Sequence, residues 1–161
     1  MMAVSDNTAT NLIIDRIGLD AVNEWLASFG MDKTLALGKI GGGGCRAKAY
    51  GEAWNKRADG STYGIGCATS REMVDLLARI DQGQIVSAED SKEILKLLSR
   101  QQSHEGLGRQ LKGVSRATKP GALDLLRSEV GILSTSKAKW RWRSRSTRCP
   151  PPTGPWTTRP I

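Results

Sequence analysis

The chain has 161 residues, of which 39% are hydrophobic and 25% charged, and this is the composition of a soluble globular protein with one domain and a real core. No apolar run is long enough to span a bilayer, and the first four residues are not a signal peptide. Three cysteines and one histidine, without metal-ligand spacing, argue against a disulfide framework and against a zinc site. The sequence implies no cofactor.

The net charge of +8 would suggest a nucleic-acid partner if it were spread over the chain. It is instead concentrated at one end, because residues 137–161 hold seven basic residues and no acidic one. The remainder carries 17 basic and 16 acidic residues. The body of the protein is therefore nearly neutral.

The first predicted element is a helix that follows Ser5-Asp6-Asn7. These three residues occupy the positions where capping side chains are expected, and alone they predict an ordinary helix start. Apolar residues recur at helical spacing after them, which predicts that the helix packs against a core. They are Ala9, Leu12, Ile13 and Ile17.

A second helix is predicted from Asp20 to Phe29, with Gly30 as its end. Its expected core residues are Val22, Trp25, Leu26 and Phe29. The run Gly41–Gly44 lacks the residues of a phosphate-binding loop and predicts a connection. Residues 46–67 show only a weak pattern.

Two further helices are predicted from their caps. Thr69 and Glu72 form a capping box, and the helix that they begin ends at Gly83. Ser87 begins the next helix in the same way. Extended segments follow at Val114–Thr118 and Ala122–Ser136. Several helices followed by late strands indicate an α+β fold.

Two motifs carry a family resemblance. Ser5-Asp6-Asn7, with the helix after it, and Lys119-Pro120-Gly121 resemble the S-D-N and K-T-G motifs of class A β-lactamases and related penicillin-recognising serine hydrolases. Ser87–Gln102 and Thr118–Leu133 extend the likeness over roughly residues 1–137. The resemblance implies an incomplete β-lactamase/transpeptidase-like fold, with the helical part and the late strands of the sheet.

The resemblance also implies roles for individual residues. The Ser5 hydroxyl would relay a proton to the lactam nitrogen, and Lys119 would attract the substrate carboxylate. Asn7 and Gly121 would bind substrate, and the Ala122 backbone N–H would belong to the oxyanion hole. Glu52 matches the position of the deacylating general base only in part, and a solvent-facing charge on a short helix is the favoured interpretation. The implied ligand is a β-lactam or a D-Ala-D-Ala-like peptide.

The sequence departs from the family pattern at two places. Pro120 stands where the family has threonine, so a hydroxyl and a backbone N–H are missing. No S-x-x-K nucleophile motif precedes Ser5, and Ser134–Lys137 matches that pattern only formally, in a segment predicted to be a strand. We therefore expect an N-terminally truncated fragment that is inactive alone. The family works in the periplasm or outside the cell, whereas this chain as written would be cytoplasmic or of unknown location.

Other functions stay open at this point. A D-alanyl peptidase or a penicillin-binding esterase would share the fold, and an intact deacylating glutamate would favour the lactamase. A basic-tailed nucleic-acid-binding protein is the alternative from another class. It rests on Trp140 and Trp142, which alternate with arginines.

The composition changes abruptly after about residue 137. Five of the six prolines and three of the five tryptophans lie at or after Trp140. We interpret residues 138–161 as a frame-shifted tail on a partial domain of residues 1–137, because a shifted reading can encode a β-rich V-A-M-A-I-T-V strand. We expect this tail to be poorly ordered and to bind no nucleic acid specifically.

Overall fold

The structure is a computed structural model, and the residues that it describes form α-helices and two small antiparallel sheets. It describes residues 1–41, 47, 59–60, 64–103, 106, 111–123 and 126–146. The predicted α+β class is confirmed. None of the described helices is long and apolar enough to cross a membrane.

Four described helices and five strands follow one another along the chain. The first half contains α1 (Asn7–Ile17), α2 (Leu19–Ser28), β1 (Leu35–Ala36) and β2 (Gly66–Cys67). The second half contains α3 (Ser70–Asp81), α4 (Ala88–Ser99), β3 (Ser115–Leu123), β4 (Leu126–Ser134) and β5 (Lys139–Ser146).

The caps of α3 and α4 are those predicted. The Thr69 hydroxyl accepts a hydrogen bond from the Glu72 N–H at 3.2 Å, and the Ser87 hydroxyl accepts one from the Asp90 N–H at 3.0 Å. The Glu72 carboxylate also contacts the preceding loop, where it accepts bonds from Lys33 N–H and the Thr34 hydroxyl. Burial alone would raise the pKa of Glu72, but these hydrogen bonds outweigh it and lower the pKa.

A buried asparagine joins α2 to the small sheet. Asn23 is fully buried, and its amide makes paired hydrogen bonds with the backbone of Ala36, at 2.9 and 2.8 Å. Trp25, which we predicted in the core, is exposed and stacks edge-on against Phe29. The buried side of α2 is formed by Leu19, Asn23 and Leu26.

The larger sheet has the strand order β3-β4-β5. Helix α4 contacts β3, while α3 contacts β4 and β5, so these two helices and the sheet enclose the main core. β3 is longer than predicted and runs without a break through Lys119-Pro120-Gly121. Proline is tolerated there because β3 is an outer strand of the sheet.

Gly131 on β4 allows β3 to come close. A Cβ atom at this position would lie 2.5 Å from Thr118 Cγ2 and 2.8 Å from the Ala117 carbonyl oxygen. No side chain fits at those distances. The glycine thus sets the spacing of the two strands just before Lys119.

The expectation of a poorly ordered tail is wrong for residues 139–146. They form β5, which pairs with β4 in antiparallel register from Lys139 opposite Ser134 to Ser146 opposite Arg127. Strands pair through hydrogen bonds between backbone N–H and C=O groups, and these groups are present whichever side chains the reading frame encodes. Asp81 at the end of α3 adds ion pairs to Lys139 and Arg141 at 2.8 and 2.9 Å.

Candidate functional site

The N-terminal segment is held in place before α1 begins. The Gln101 side-chain amide donates to the Met2 carbonyl oxygen, and the Gln102 N–H donates to the Ala3 carbonyl oxygen, both at 2.9 Å. Both glutamines lie just beyond the end of α4. The chain that leads to Ser5 is therefore fixed to the body of the protein.

Asp6, and not Ser5, caps α1. Its carboxylate accepts a hydrogen bond from the Ala9 N–H at 2.6 Å. Ser5 lies one residue before the cap and has a φ of +55°, which is uncommon for a residue other than glycine. This conformation leaves the Ser5 hydroxyl outside the helix and available to another element.

We expect Asp6→Ala to lower the free energy of unfolding by about 1 kcal/mol, because the cap satisfies an N–H group that otherwise has no partner in the helix. Urea denaturation followed by circular dichroism measures this change. Asp32→Ala, an exposed aspartate outside the helices, is the matched control and should be near neutral. Equal losses in both variants would contradict the capping role.

The structure brings together Ser5 and Lys119, which are 114 residues apart. The Lys119 ammonium donates to the Ser5 hydroxyl oxygen at 2.6 Å and to the Pro120 carbonyl oxygen at 2.6 Å. Lys119 is half-buried on β3, and burial lowers the pKa of its ammonium group. Since the Ser5 oxygen accepts a hydrogen bond from a cation, its own O–H is left to donate.

Asn7 lies near this pair in the sequence, as the first residue of α1. Its side chain is exposed. A hydroxyl, an ammonium and an amide at one junction of helix start and strand can together hold an anionic, carbonyl-containing ligand. A sequence model that describes the β-lactamase enzyme family matches residues 1–140.

The chain belongs to the β-lactamase enzyme family.

Solved structures support the same fold. The chain is similar to the β-lactamase from Sphaerobacter thermophilus DSM 20745, with 26% identity over 91% of this chain and a TM-score of 0.71. PBP-A (24% identity over 90% of this chain) and a class A β-lactamase from Bacteroides cellulosilyticus DSM 14838 (16% over 89%) share the fold, with TM-scores of 0.68 and 0.65. No curated protein sequence shows significant similarity to the chain.

The chain spans about half the length of these solved relatives. It covers 52% of the Sphaerobacter chain, 48% of PBP-A and 51% of the Bacteroides chain. The β-lactamase fold is therefore incomplete here, as the resemblance predicted.

Of the other predicted site residues, the structure describes Gly121 and Ala122 but not Glu52. Gly121 and Ala122 lie on the exposed end of β3, one and two residues beyond Pro120, opposite Ser128 and Arg127. Glu52 lies outside the described residues. The roles of these residues in a β-lactamase-type site stay predictions.

The formal S-x-x-K match is not at a helix start. Ser134 ends β4, and Lys137 lies in the turn to β5, where the Thr135 hydroxyl accepts bonds from the Lys137 and Ala138 N–H groups. In the part of the chain that the structure describes, no three His, Cys, Asp or Glu residues are grouped as metal ligands would be.

Sequence reasoning missed one charged residue beside the β-lactamase motif. Glu129 is buried on β4 directly opposite Pro120. Its carboxylate also borders Gly106, where an added Cβ atom would lie 2.4 Å from Glu129 Oε2. The signal in the sequence was the single acidic residue of β4, between Ser128 and Val130.

Proposed function

We propose that this chain forms the Ser5–Lys119 side of a β-lactam-binding site. The observation that carries the proposal is the 2.6 Å hydrogen bond from the Lys119 ammonium to the Ser5 hydroxyl, which joins the two family motifs. A β-lactam supplies a carboxylate for the ammonium and a ring nitrogen that accepts a proton from the hydroxyl. The exposed amide of Asn7 would hold a side-chain carbonyl of the ligand.

In the whole β-lactamase-type fold, we propose that this side of the site serves a serine hydrolase reaction. An acylated serine would come from a part of the fold that this chain does not contain, and Ser5 would deliver the proton to the leaving nitrogen. The backbone N–H of Ala122 would stabilise the negative charge on the carbonyl oxygen. Pro120 offers no hydroxyl to the carboxylate, so Lys119 would bear most of that contact.

We expect the isolated chain not to hydrolyse β-lactams, because Ser5 is assigned to proton transfer and no other described serine lies at a helix start beside Lys119. A chromogenic cephalosporin assay measures turnover, and mass spectrometry of the intact chain detects an acyl adduct. The Sphaerobacter β-lactamase is the positive control. A stoichiometric adduct on any serine would show that the chain carries its own nucleophile.

A D-alanyl peptidase or penicillin-binding esterase is the second candidate. PBP-A supports it, since one solved structure of a PBP-A mutant is an acyl-enzyme complex with penicillin G. Calorimetric titration of the chain with benzylpenicillin and with an N-acylated D-Ala-D-Ala peptide discriminates the two. Tighter binding of the peptide would favour the peptidase.

We propose no nucleic-acid partner. Two basic residues of the tail, Lys139 and Arg141, are paired with Asp81, which reduces the positive charge available to a phosphate backbone.

A further inference from the structure

A cavity lies between the end of α2 and one side of α3. Its volume is about 330 Å³, which falls at the lower end of the range of small-molecule sites in proteins. One wall is formed by Phe29, Gly30 and Met31, just after α2, and the other by polar residues of α3. The cavity shares no residue with the Ser5–Lys119 pair.

The α3 wall carries two opposite charges. Asp75 and Arg79 on α3 and Gln82 just after it are spaced by four and three residues, so they lie along the same side of the helix. Ala78 lies on this side as well and adds only a methyl group to the wall. The cavity therefore presents a carboxylate, a guanidinium and an amide to a ligand.

Neither of these two charges is neutralised by the protein. Asp75 and Arg79 have the spacing at which helical residues can pair, but the ion pairs among the described residues involve neither of them. The neighbouring Glu72 differs, since its carboxylate accepts hydrogen bonds from the Lys33 N–H and the Thr34 hydroxyl. Asp75 and Arg79 are thus the two charged groups of the cavity that are left for a ligand.

An aromatic contact positions Arg79. Its Cζ atom lies over the Phe29 ring, 5.4 Å from the ring centroid, and Phe29 also packs edge-on against Trp25, with centroids 4.8 Å apart. A cation–π contact engages the face of the ring and no hydrogen-bond acceptor. The guanidinium N–H groups therefore remain able to bind a planar carboxylate with two parallel hydrogen bonds.

We propose that this cavity binds a small zwitterion, an α-amino acid with an apolar side chain. The ligand carboxylate accepts hydrogen bonds from Arg79, the ligand ammonium donates to Asp75, and the side chain packs against Phe29 and Met31. A simple anion is repelled by Asp75 and a simple cation by Arg79, so a ligand with both charges close together fits best. This inference goes beyond the proposed β-lactam site and does not depend on it.

Titration of the isotope-labelled full chain with L-phenylalanine, followed by two-dimensional NMR, tests the proposal. We expect a dissociation constant of about 1 mM or lower, as a ligand of this size can reach. Backbone amide signals of residues 29–31 and 75–84 should shift. N-acetyl-L-phenylalanine lacks the ammonium and L-phenylalaninamide lacks the carboxylate, so each should bind about tenfold more weakly or worse. Absence of binding, or an equal affinity for either analogue, would overturn the proposal.

Substitutions locate the site. Arg79→Gln should weaken the binding of L-phenylalanine about tenfold or more, because glutamine keeps an amide donor but removes the charge. Arg71→Gln removes an exposed arginine from the same helix, and this matched control should leave the affinity unchanged. Asp75→Asn should reduce the preference for L-phenylalanine over its N-acetyl analogue. Equal affinities of the two arginine variants, each shown by circular dichroism to be folded, would contradict the assignment.

Competition separates this cavity from the proposed β-lactam site. Excess benzylpenicillin should not displace L-phenylalanine, because the two sites share no residue. Displacement would place the amino acid at the Ser5–Lys119 pair and would overturn this inference without affecting the proposed function. A chain that binds L-phenylalanine in the cavity but binds no β-lactam would remove only the proposed function.

Discussion

Replacing Lys119 by alanine should lower the affinity of the chain for benzylpenicillin roughly 10- to 100-fold. A hydrogen bond to a charged group contributes about 1.5–3 kcal/mol, and each 1.4 kcal/mol is a factor of ten. The ligand carboxylate would lose the only ammonium that the structure places beside Ser5 among the described residues. Isothermal titration calorimetry measures the affinity.

The matched control is Lys92→Ala, which removes an exposed lysine from α4 and lowers the net charge by the same amount. Its affinity should equal that of the unmodified chain. Urea denaturation of each variant separates a lost contact from a lost fold. Similar affinities for the Lys119 variant and the unmodified chain would contradict the assignment of this lysine to the carboxylate.

The pH dependence of binding follows from the same ammonium. Lys119 attracts an anion only while it is protonated, so affinity should fall as pH rises through its pKa. Because burial lowers the pKa of Lys119, this fall should begin at a lower pH than for an ordinary lysine. An N-acylated D-Ala-D-Ala peptide is the suitable ligand, since its carboxylate persists across the range.

The second large effect concerns Asp81, whose replacement by asparagine should destabilise the sheet by about 2–3 kcal/mol. The buried carboxylate accepts charge-assisted hydrogen bonds from Lys139 and Arg141, and both cations would lose their partner. Urea denaturation measures the loss. Asp75→Asn, an exposed position on the same helix, is the control and should be near neutral.

Lowering the pH should remove the stabilisation that Asp81 contributes to the unmodified chain. Burial alone would raise the pKa of Asp81, but the hydrogen bonds and charges of Lys139 and Arg141 outweigh it and hold the pKa below its usual value. Its contribution is therefore complete above the unfolded pKa of about 3.9 and is lost as pH falls through the lower folded value. The Asp81→Asn variant should lack this part of the acid dependence. An identical acid profile in both proteins would argue against the ion pairs.

Local signals in the sequence predicted the local structure well. Thr69 and Ser87 cap their helices because the capping pattern depends only on neighbouring residues. The contact of Ser5 with Lys119 depends on the tertiary fold, and only the family resemblance indicated it. Periodicity predicted that α1 has an apolar side, but it could not show that Asn11 and Asp15 hold the opposite side against the protein.

The tail shows where propensity and composition mislead. Residues 139–146 contain two tryptophans and four basic residues, and the prediction for them relied on this unusual composition. Pairing with β4 and the charge of Asp81 determine their structure instead, and neither can be recognised from the tail alone. The single buried acid at Glu129 was missed for a similar reason, since its burial depends on Gly106 and on the strand register.

The position of β5 as an outer strand also bears on colloidal behaviour. Its far edge presents backbone donors and acceptors that no described strand occupies, and such an edge is a template for stacking identical chains into β-rich aggregates. The sequence of β5 contains four basic residues and no acidic one, and the single charge of Asp81 offsets only part of this excess, so two such strands would repel each other on approach. That protection is electrostatic and weakens as salt shortens the range of the repulsion. The basic residues that give the tail its unusual composition would thus reduce aggregation of the protein at low ionic strength.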